Sequence, residues 1–396
     1  VFKELDVNFL QGGVLLNMNH KKRVAVIFGG QSTEHEVSRF SAQSVIENLD
    51  KSKYDIVMIG ITKEGKWLTY SGPAEKIGTG EWQAIAESQR LRPEKIELGS
   101  VSGSVSGGTV DYSNSARNIL IASGAENDIK KVDVVFPVLH GLNGEDGTIQ
   151  GLFELAGMPY VGCEVLGSAL CMDKAFAKIV FDKEGIPQGK YIAFNKRQFQ
   201  IDTDKIISEV ENILEYPCFV KPCNSGSSVG VSKVRNRREL IDAISLAGMY
   251  DRRILVEEYI NGREIECSVL GNDNPVASTV GEVIPDKEFY DYEAKYSSES
   301  TSEIIIPARL PESSIEKIRE YAVKAFKALD CAGLARVDFF VHKETGEIYI
   351  NEINTMPGFT KISMYPKLWE ASGLPYGELL NKLIELSIER YNEKTE

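Results

Sequence analysis

Clustered soft metal ligands are what this 396-residue chain lacks most clearly: its six cysteines show no CxxC spacing, and only four histidines are present to help them. A zinc framework or a disulfide scaffold is therefore excluded as an organising feature. Thiols such as Cys218, in Tyr216-Pro217-Cys218-Phe219-Val220, read as small core residues. Basic residues are also short, 45 Lys and Arg against 58 Asp and Glu, for a net charge of −13. That balance excludes nucleic acid or an anionic membrane as the main partner, so any nucleotide must be met by a local basic site. No apolar run approaches a membrane span, and the N-terminus lacks the charged, apolar and small-residue order of a secretory signal. A cytoplasmic location is expected, and no repeat of fixed period is visible.

What is present is ordinary in bulk and specific in detail. With 42% hydrophobic and 26% charged residues, the chain can bury a large core divided into two or three domains. Its most informative stretch is Gly333-Leu334-Ala335-Arg336-Val337-Asp338-Phe339, followed by Tyr349-Ile350-Asn351-Glu352-Ile353-Asn354. Both segments alternate with period two, so Arg336 and Asp338 share one strand face and Glu352 and Asn354 share another, while Val337, Phe339 and Ile353 face a core. A hairpin centred near Thr345 would set Asp338 across from Glu352 and Arg336 across from Asn354. Two carboxylates, an amide and a guanidinium suit a hard cation that also binds substrate phosphates. A solvated strand face with a cross-strand ion pair is the bland alternative.

Residues 1–17 share no pattern with the rest of the chain and are expected to be a leader or an expression remnant. From there Arg23 to Phe28 reads as a buried strand running into Gly29-Gly30, with a helix over Ser38 to Leu49 and further strands at Tyr54–Ile61 and Val132–Leu139. This predicts an open α/β sheet, with ligands at the carboxyl ends of its strands. The Ser- and Gly-rich Gly99 to Asn118 reads as a surface loop without chemistry. A helix from Asp173, with apolar positions Phe176, Ile179 and Val180, ends at Gly185-Ile186-Pro187. Helices near Ser313–Leu329 and Tyr376–Tyr391 complete the chain.

Several segments carry chemistry only in combination. Phe219-Val220-Lys221-Pro222 leads into Asn224-Ser225-Gly226-Ser227-Ser228-Val229-Gly230, whose backbone N–H groups could wrap a phosphate above Lys221. It is neither GxxxxGK[ST] nor GxGxxG, and alone it would be a plain turn. At the end of the apolar strand Ile254–Ile260, a purine could sit with Glu257 accepting from its amino group and Glu264 from ribose hydroxyls. Phe289-Tyr290-Asp291-Tyr292-Glu293-Ala294-Lys295-Tyr296 has the rings and the lysine of a lid that excludes water, or of a surface hairpin. His140 lies at a strand end before the helix Thr148–Ala156, whose N-terminus could receive a carboxylate.

Taken together, Gly29 to Ser38, His140 to Gly151, Met172-Asp173-Lys174, Lys221 to Gly230, Tyr290 to Tyr296, Arg336-Val337-Asp338 and Asn351 to Ser363 resemble, in order, the D-alanine–D-alanine ligases of the ATP-grasp superfamily. The resemblance runs from about Lys22 to the C-terminal helix. It implies an ATP-grasp fold, two α+β subdomains clasping ATP, behind a Rossmann-like open α/β domain. The expected boundaries are 18–162 for the N-terminal domain, 163–259 for the central subdomain and 260–396 for the C-terminal subdomain with lid and metal site. It further implies Lys174, Lys221 and Lys295 on the ATP phosphates, Glu257, Tyr259, Ile260 and Glu264 around adenosine, and two Mg²⁺ ions, for which Mn²⁺ can substitute, on Asp338, Glu352 and Asn354. The first D-alanine would be held by Glu34 with His140 close by, and the second by Ser363 and the backbone at Met364. Arg336 and the Gly358 N–H would stabilise the oxyanion, and Glu34, Ser227 and Tyr296 would tie the first domain, glycine loop and lid together. The product would be D-alanyl-D-alanine for peptidoglycan, made through a D-alanyl phosphate by a homodimer. Alternatives are a D-Ala-D-Ser or D-Ala-D-Lac ligase, another ATP-grasp carboxylate–amine ligase, or a nucleotide-binding regulator, which should lack one of Arg336, Asp338, Glu352 or Asn354.

Overall fold

A computed structural model describes residues 21–89, 132–284 and 303–395. Its first sheet is built around β1 (Lys22–Gly29), whose residues from Val24 to Phe28 are fully buried, as expected for a strand covered on both faces. The helix α1 (His35–Asn48) comes next, then β2 (Tyr54–Ile61), β3 (Trp67–Tyr70), the short helices α2 (Glu75–Thr79) and α3 (Trp82–Gln89), β4 (Val134–Val138) and α4 (Thr148–Ala156). The strand order is β3-β2-β1-β4, parallel except for β3. The turn after β1 requires glycine: Gly29 has φ +90°, and a Cβ there would lie 2.2 Å from the Ile61 carbonyl oxygen. Ser38 of α1 accepts the Gly29 N–H at 2.8 Å and donates to the Val138 carbonyl, which joins the carboxyl ends of β1 and β4.

Helices α5 (Val165–Met172) and α6 (Lys174–Glu184) lead to a second sheet. Asp173 caps α6 through the Ala175 and Phe176 N–H groups, and Gly185 in the left-handed region ends it. Of its three apolar positions, Val180 packs against the core, whereas Phe176 and Ile179 are turned outward, 47% and 51% exposed. The buried face instead carries Ala175, Ala177, Phe181 and, unexpectedly, Lys178. The second sheet contains β5 (Tyr191–Asn195), β6 (Cys218–Pro222), β7 (Ser232–Val234) and β8 (Arg253–Glu258) in the order β5-β8-β6-β7, with helices α7 (Lys196–Ile201), α8 (Thr203–Ile213) and α9 (Arg237–Tyr250) between them.

The third sheet is antiparallel, ordered β11-β10-β9-β12-β13, from β9 (Gly262–Gly271), β10 (Val276–Ile284), β11 (Glu303–Ile305), β12 (Gly333–His342) and β13 (Ile348–Asn354). Its core face packs on α10 (Glu312–Ala328) through Val337, Phe339, Ile353 and Phe326. The helices α11 (Met364–Ala371) and α12 (Tyr376–Thr395) close the chain. Leu379, Leu383 and Ile384 of α12 join a core that reaches from Val26 and Phe28 of β1 to Leu334 of β12, so the first and third sheets share apolar packing. All six cysteines are free and buried, where apolar neighbours predicted this for most of them, and Cys171 and Cys331 approach to 3.4 Å between sulfurs.

Candidate active site

One face of the third sheet is charged. The register sets Asp338 opposite Glu352 on one side and Glu266 on the other, and Arg336 opposite Asn354, which is the pairing expected from the alternation. An irregularity comes after Asp338, shifting the pairing by one residue before Phe339 meets Ile350, so that Asn351 is an extra residue and Ile350 and Ile353, three apart, both face the core. The Arg336 fork donates to both Asp338 oxygens at 2.7 Å and lies 3.0 Å from Glu266. Burial disfavours this guanidinium, but Asp338 and Glu266 more than offset it and hold its pKa well above the usual value. Asn354 donates to Asp338 at 2.9 Å, and Lys174 stands 3.4 Å from Glu352.

This face therefore sets three carboxylates against two cations and offers a ligand only oxygen from Asp338, Glu352 and Asn354, a donor set for a hard cation. Among the described residues no three His, Cys, Asp or Glu cluster as a self-sufficient metal cage. A divalent ion here would complete its coordination with phosphate oxygens or water, as Mg²⁺ commonly does.

The glycine loop closes over this face from the second sheet. Lys174 donates to the Ser225 carbonyl at 2.8 Å, while Lys221, at the base of the loop, contacts one oxygen of Glu257. The other oxygen lies 3.2 Å from Lys178. Burial works against the Glu257 carboxylate, yet the two ammonium groups bring its pKa down to about 2. Tyr259 is exposed with Lys233 3.8 Å from its ring centroid, the Ile260 carbonyl accepts the Gly262 N–H at 2.8 Å, and Glu264 lies opposite Phe340.

From the first sheet, the buried Glu34 accepts a hydrogen bond from Ser227, whose φ of 48° places it in the left-handed region. Contact this close needs bare backbone on both sides: a Cβ would come within 2.3 Å of Glu34 Oε2 at Gly141 and 2.5 Å at Gly226. His140 Nδ1 lies 2.8 Å from the Met356 carbonyl and its Nε2 3.1 Å from Ser41, and burial lowers its pKa. The same Met356 donates its N–H to Glu145 at 2.9 Å, and Ser41 also accepts the Phe359 N–H at 3.2 Å. These contacts fix the loop carrying Gly358 and Ser363. Ser363 Oγ is 2.7 Å from Thr360 Oγ1, and the Met364 side chain is buried against Val283 and Leu368.

Pairwise contacts link the expected site residues across the three sheets: Glu34 with Ser227, Lys174 with Glu352, Lys221 with Glu257, Arg336 and Asn354 with Asp338, and His140 with the loop that carries Gly358 and Ser363. Lys295 and Tyr296, with the rest of the expected lid, lie outside the described residues, as does the Gly99 to Asn118 segment. The α4 N-terminus is partly occupied by its own chain, because Asp146 accepts the Thr148 N–H at 3.0 Å. Sequence reasoning missed Lys178, Glu145, Ser41 and Glu266. Lys178 had a signal, four residues after Lys174 on one helix face.

Family models cover nearly all of the chain. One described as D-ala D-ala ligase N-terminus matches residues 23–163, and one described as D-ala D-ala ligase C-terminus matches residues 180–385. The chain belongs to the D-alanine–D-alanine ligase family. The ligase is 64% identical over 374 residues to a D-alanine–D-alanine ligase of Ruminiclostridium cellulolyticum, covering 94% of this chain and 97% of the relative. Among solved structures it is similar to the D-alanine–D-alanine ligase from Coxiella burnetii, with TM-score 0.79 and 38% identity over 95% of this chain and 96% of that one. It is also similar to the VanG D-Ala:D-Ser ligase from Enterococcus faecalis, with TM-score 0.77 and 42% identity over 93% of this chain and 100% of that one. The expected ATP-grasp architecture and the ADP-forming ligase activity accord with these relatives. Among the described residues no helix is long and apolar enough to cross a membrane.

Proposed function

We propose that the ligase joins two D-alanine molecules to D-alanyl-D-alanine for peptidoglycan precursors, activating the first as D-alanyl phosphate at the expense of ATP. The observation that supports this best is the meeting of Glu34 with Ser227 in the glycine loop, which Lys174 ties to the Arg336–Asp338–Glu352–Asn354 face, because a carboxylate able to hold an ammonium group would then lie next to a face suited to phosphate and metal. Glu34 holds the ammonium group of the first D-alanine, with His140 positioning the loop at Met356. Lys174, Lys221 and Lys295 hold the phosphates, and Tyr259, Ile260, Glu257 and Glu264 surround the adenosine. Asp338, Glu352 and Asn354 would hold two Mg²⁺ ions, with Mn²⁺ a workable substitute, which supply charge neutralisation at the phosphates.

Arg336 and the Gly358 N–H then stabilise the oxyanion formed when the second amine attacks the acyl carbon. Ser363 and the Met364 backbone take the carboxylate of that second amino acid. Tyr296 would complete the hydrogen-bonded set with Glu34 and Ser227 and exclude water from the acyl phosphate. The three sheets would correspond to domains divided near residues 162 and 259, and the enzyme would work in the cytoplasm as a homodimer.

A D-Ala-D-Ser product is the second reading, favoured by the likeness to the VanG ligase. The decisive experiment is ADP release with D-alanine alone and with D-alanine plus D-serine or D-lactate, with products identified by mass. D-Ala-D-Ala from an equimolar mixture supports the first reading; predominant D-Ala-D-Ser would replace it.

A further inference from the structure

Lys178 has no part in the proposed reaction, yet it is among the most deeply placed charges of the molecule, with its side chain 3% exposed. Its Nζ lies 3.2 Å from Glu257 Oε2 and 5.4 Å from the centroid of the Tyr191 ring, and Lys221 takes the other oxygen, Oε1. One buried carboxylate is thus gripped by two ammonium groups from different elements, α6 and β6. Lone buried charges are costly, so the arrangement needs a reason. The phosphates of ATP supply one. Lys221 stands at the base of the glycine loop and faces Glu352 and Glu264 as well as Glu257, so a polyphosphate arriving at that loop draws it away. Glu257 would then be left buried with no cation were Lys178 absent, and a carboxylate in that position takes up a proton and presents an O–H donor on one oxygen, so it no longer selects for an amino group.

We infer that Lys178 is a positioning residue for nucleotide selection: it holds the Glu257 carboxylate against the purine amino group when Lys221 turns to the phosphates. This rests on the reading of Glu257 as a purine-facing group and of Lys221 as a phosphate ligand. Its consequence is purine discrimination. A 6-amino group donates to the carboxylate, whereas the 6-oxo group of inosine triphosphate presents an acceptor to an acceptor.

The test is the ratio of dissociation constants for inosine triphosphate and ATP, measured on the whole protein without D-alanine by displacement of a fluorescent ATP analogue. Because both nucleotides are titrated on one sample, a smaller folded fraction cancels from the ratio. Lys178→Met should narrow the ratio by about tenfold or more, Glu257→Gln should do the same, and the double variant should narrow it no further than either alone. If Lys178→Met does not fold, Lys178→Gln, which fills the space without the charge, carries the same expectation. A ratio within about twofold of wild type in the Lys178 variant, with Glu257→Gln clearly altered, overturns the role of Lys178 and leaves Glu257 in place. An unchanged ratio in Glu257→Gln removes the purine role of Glu257 itself, and the inference about Lys178 goes with it.

Discussion

Single side chains at this site work in opposed pairs, and removing one exposes its partner. Arg336 is gripped by Asp338 and Glu266, so Arg336→Lys would keep the charge but lose the two parallel bonds at 2.7 Å. Turnover should fall by about a hundredfold while ATP affinity changes little; a drop confined to ATP affinity would assign Arg336 to ground-state binding. Glu352→Gln leaves a neutral oxygen beside Lys174 and should cut turnover by at least about a hundredfold with the fold intact, as judged by circular dichroism. Normal turnover with a normal Mg²⁺ dependence would reject its place among the metal ligands. Glu145 behaves differently. Burial, and then the Glu34 charge, push its carboxyl up to about 8, well above an unfolded value near 4.3. A folded-state pKa raised in this way adds stability that is complete below about pH 4 and is lost as pH climbs toward 8. Glu145→Gln should therefore flatten the fall in stability between pH 5 and 8, seen in urea midpoints at several pH values; parallel pH profiles would show that Glu145 does not titrate in that window.

At the scale of elements, the glycine loop and the β12–β13 hairpin show how far local pattern reaches. The hairpin was legible because period-two alternation assigns side chains to faces, and pairing across a turn leaves few registers that bury Val337, Phe339 and Ile353 together. The shift after Asp338 lies on the β13 side, where Asn351 is an extra residue, while the register of β12 with β9 runs unbroken; its mark in the sequence is the three-residue spacing of the core residues Ile350 and Ile353, where strict alternation fails. For α6, the apolar positions are Phe176, Ile179 and Val180; Val180 does pack on the core, but Phe176 instead stacks under Arg253, 4.3 Å from its ring centroid, and Lys178 turns inward. A lysine is read as solvated unless its partners are known, and Glu257 lies on a distant strand, β8. The loop itself depends on bare backbone: Gly226→Ala would drive a methyl into Glu34 Oε2. The expected outcome is a KM for D-alanine raised by about tenfold or more with ATP affinity nearly retained, since positioning and not phosphate contact is disturbed. Equal losses for both substrates would mean that the loop collapses as a unit.

The first and third sheets are joined through the C-terminal helix α12. Arg390 of α12 donates to the Gly162 and Tyr160 carbonyls at 2.5 and 2.9 Å and lies over the Tyr160 ring, while Leu379, Leu383 and Ile384 fill the core between the first and third sheets. Arg390→Ala would orphan both carbonyls and should lower stability by about 1–3 kcal/mol. A denaturant midpoint equal to wild type would show that water replaces the guanidinium without loss.

Elements and chemistry were largely determined by the sequence itself. Strand β2 and helix α4 begin and end where periodicity and turn residues place them, and the ordered motifs from Gly29 to Ser363 carry the family. These depend on neighbours along the chain, where glycine, proline and the alternation of apolar residues act directly. Only the tertiary structure decided which charges share a carboxylate, as Lys178 and Lys221 share Glu257, and which loop His140, Ser41 and Glu145 restrain at Met356 and Phe359. Those contacts join residues up to 318 positions apart. Their energies come from burial and from partners brought by other elements, and a side chain's neighbours in sequence carry no record of either.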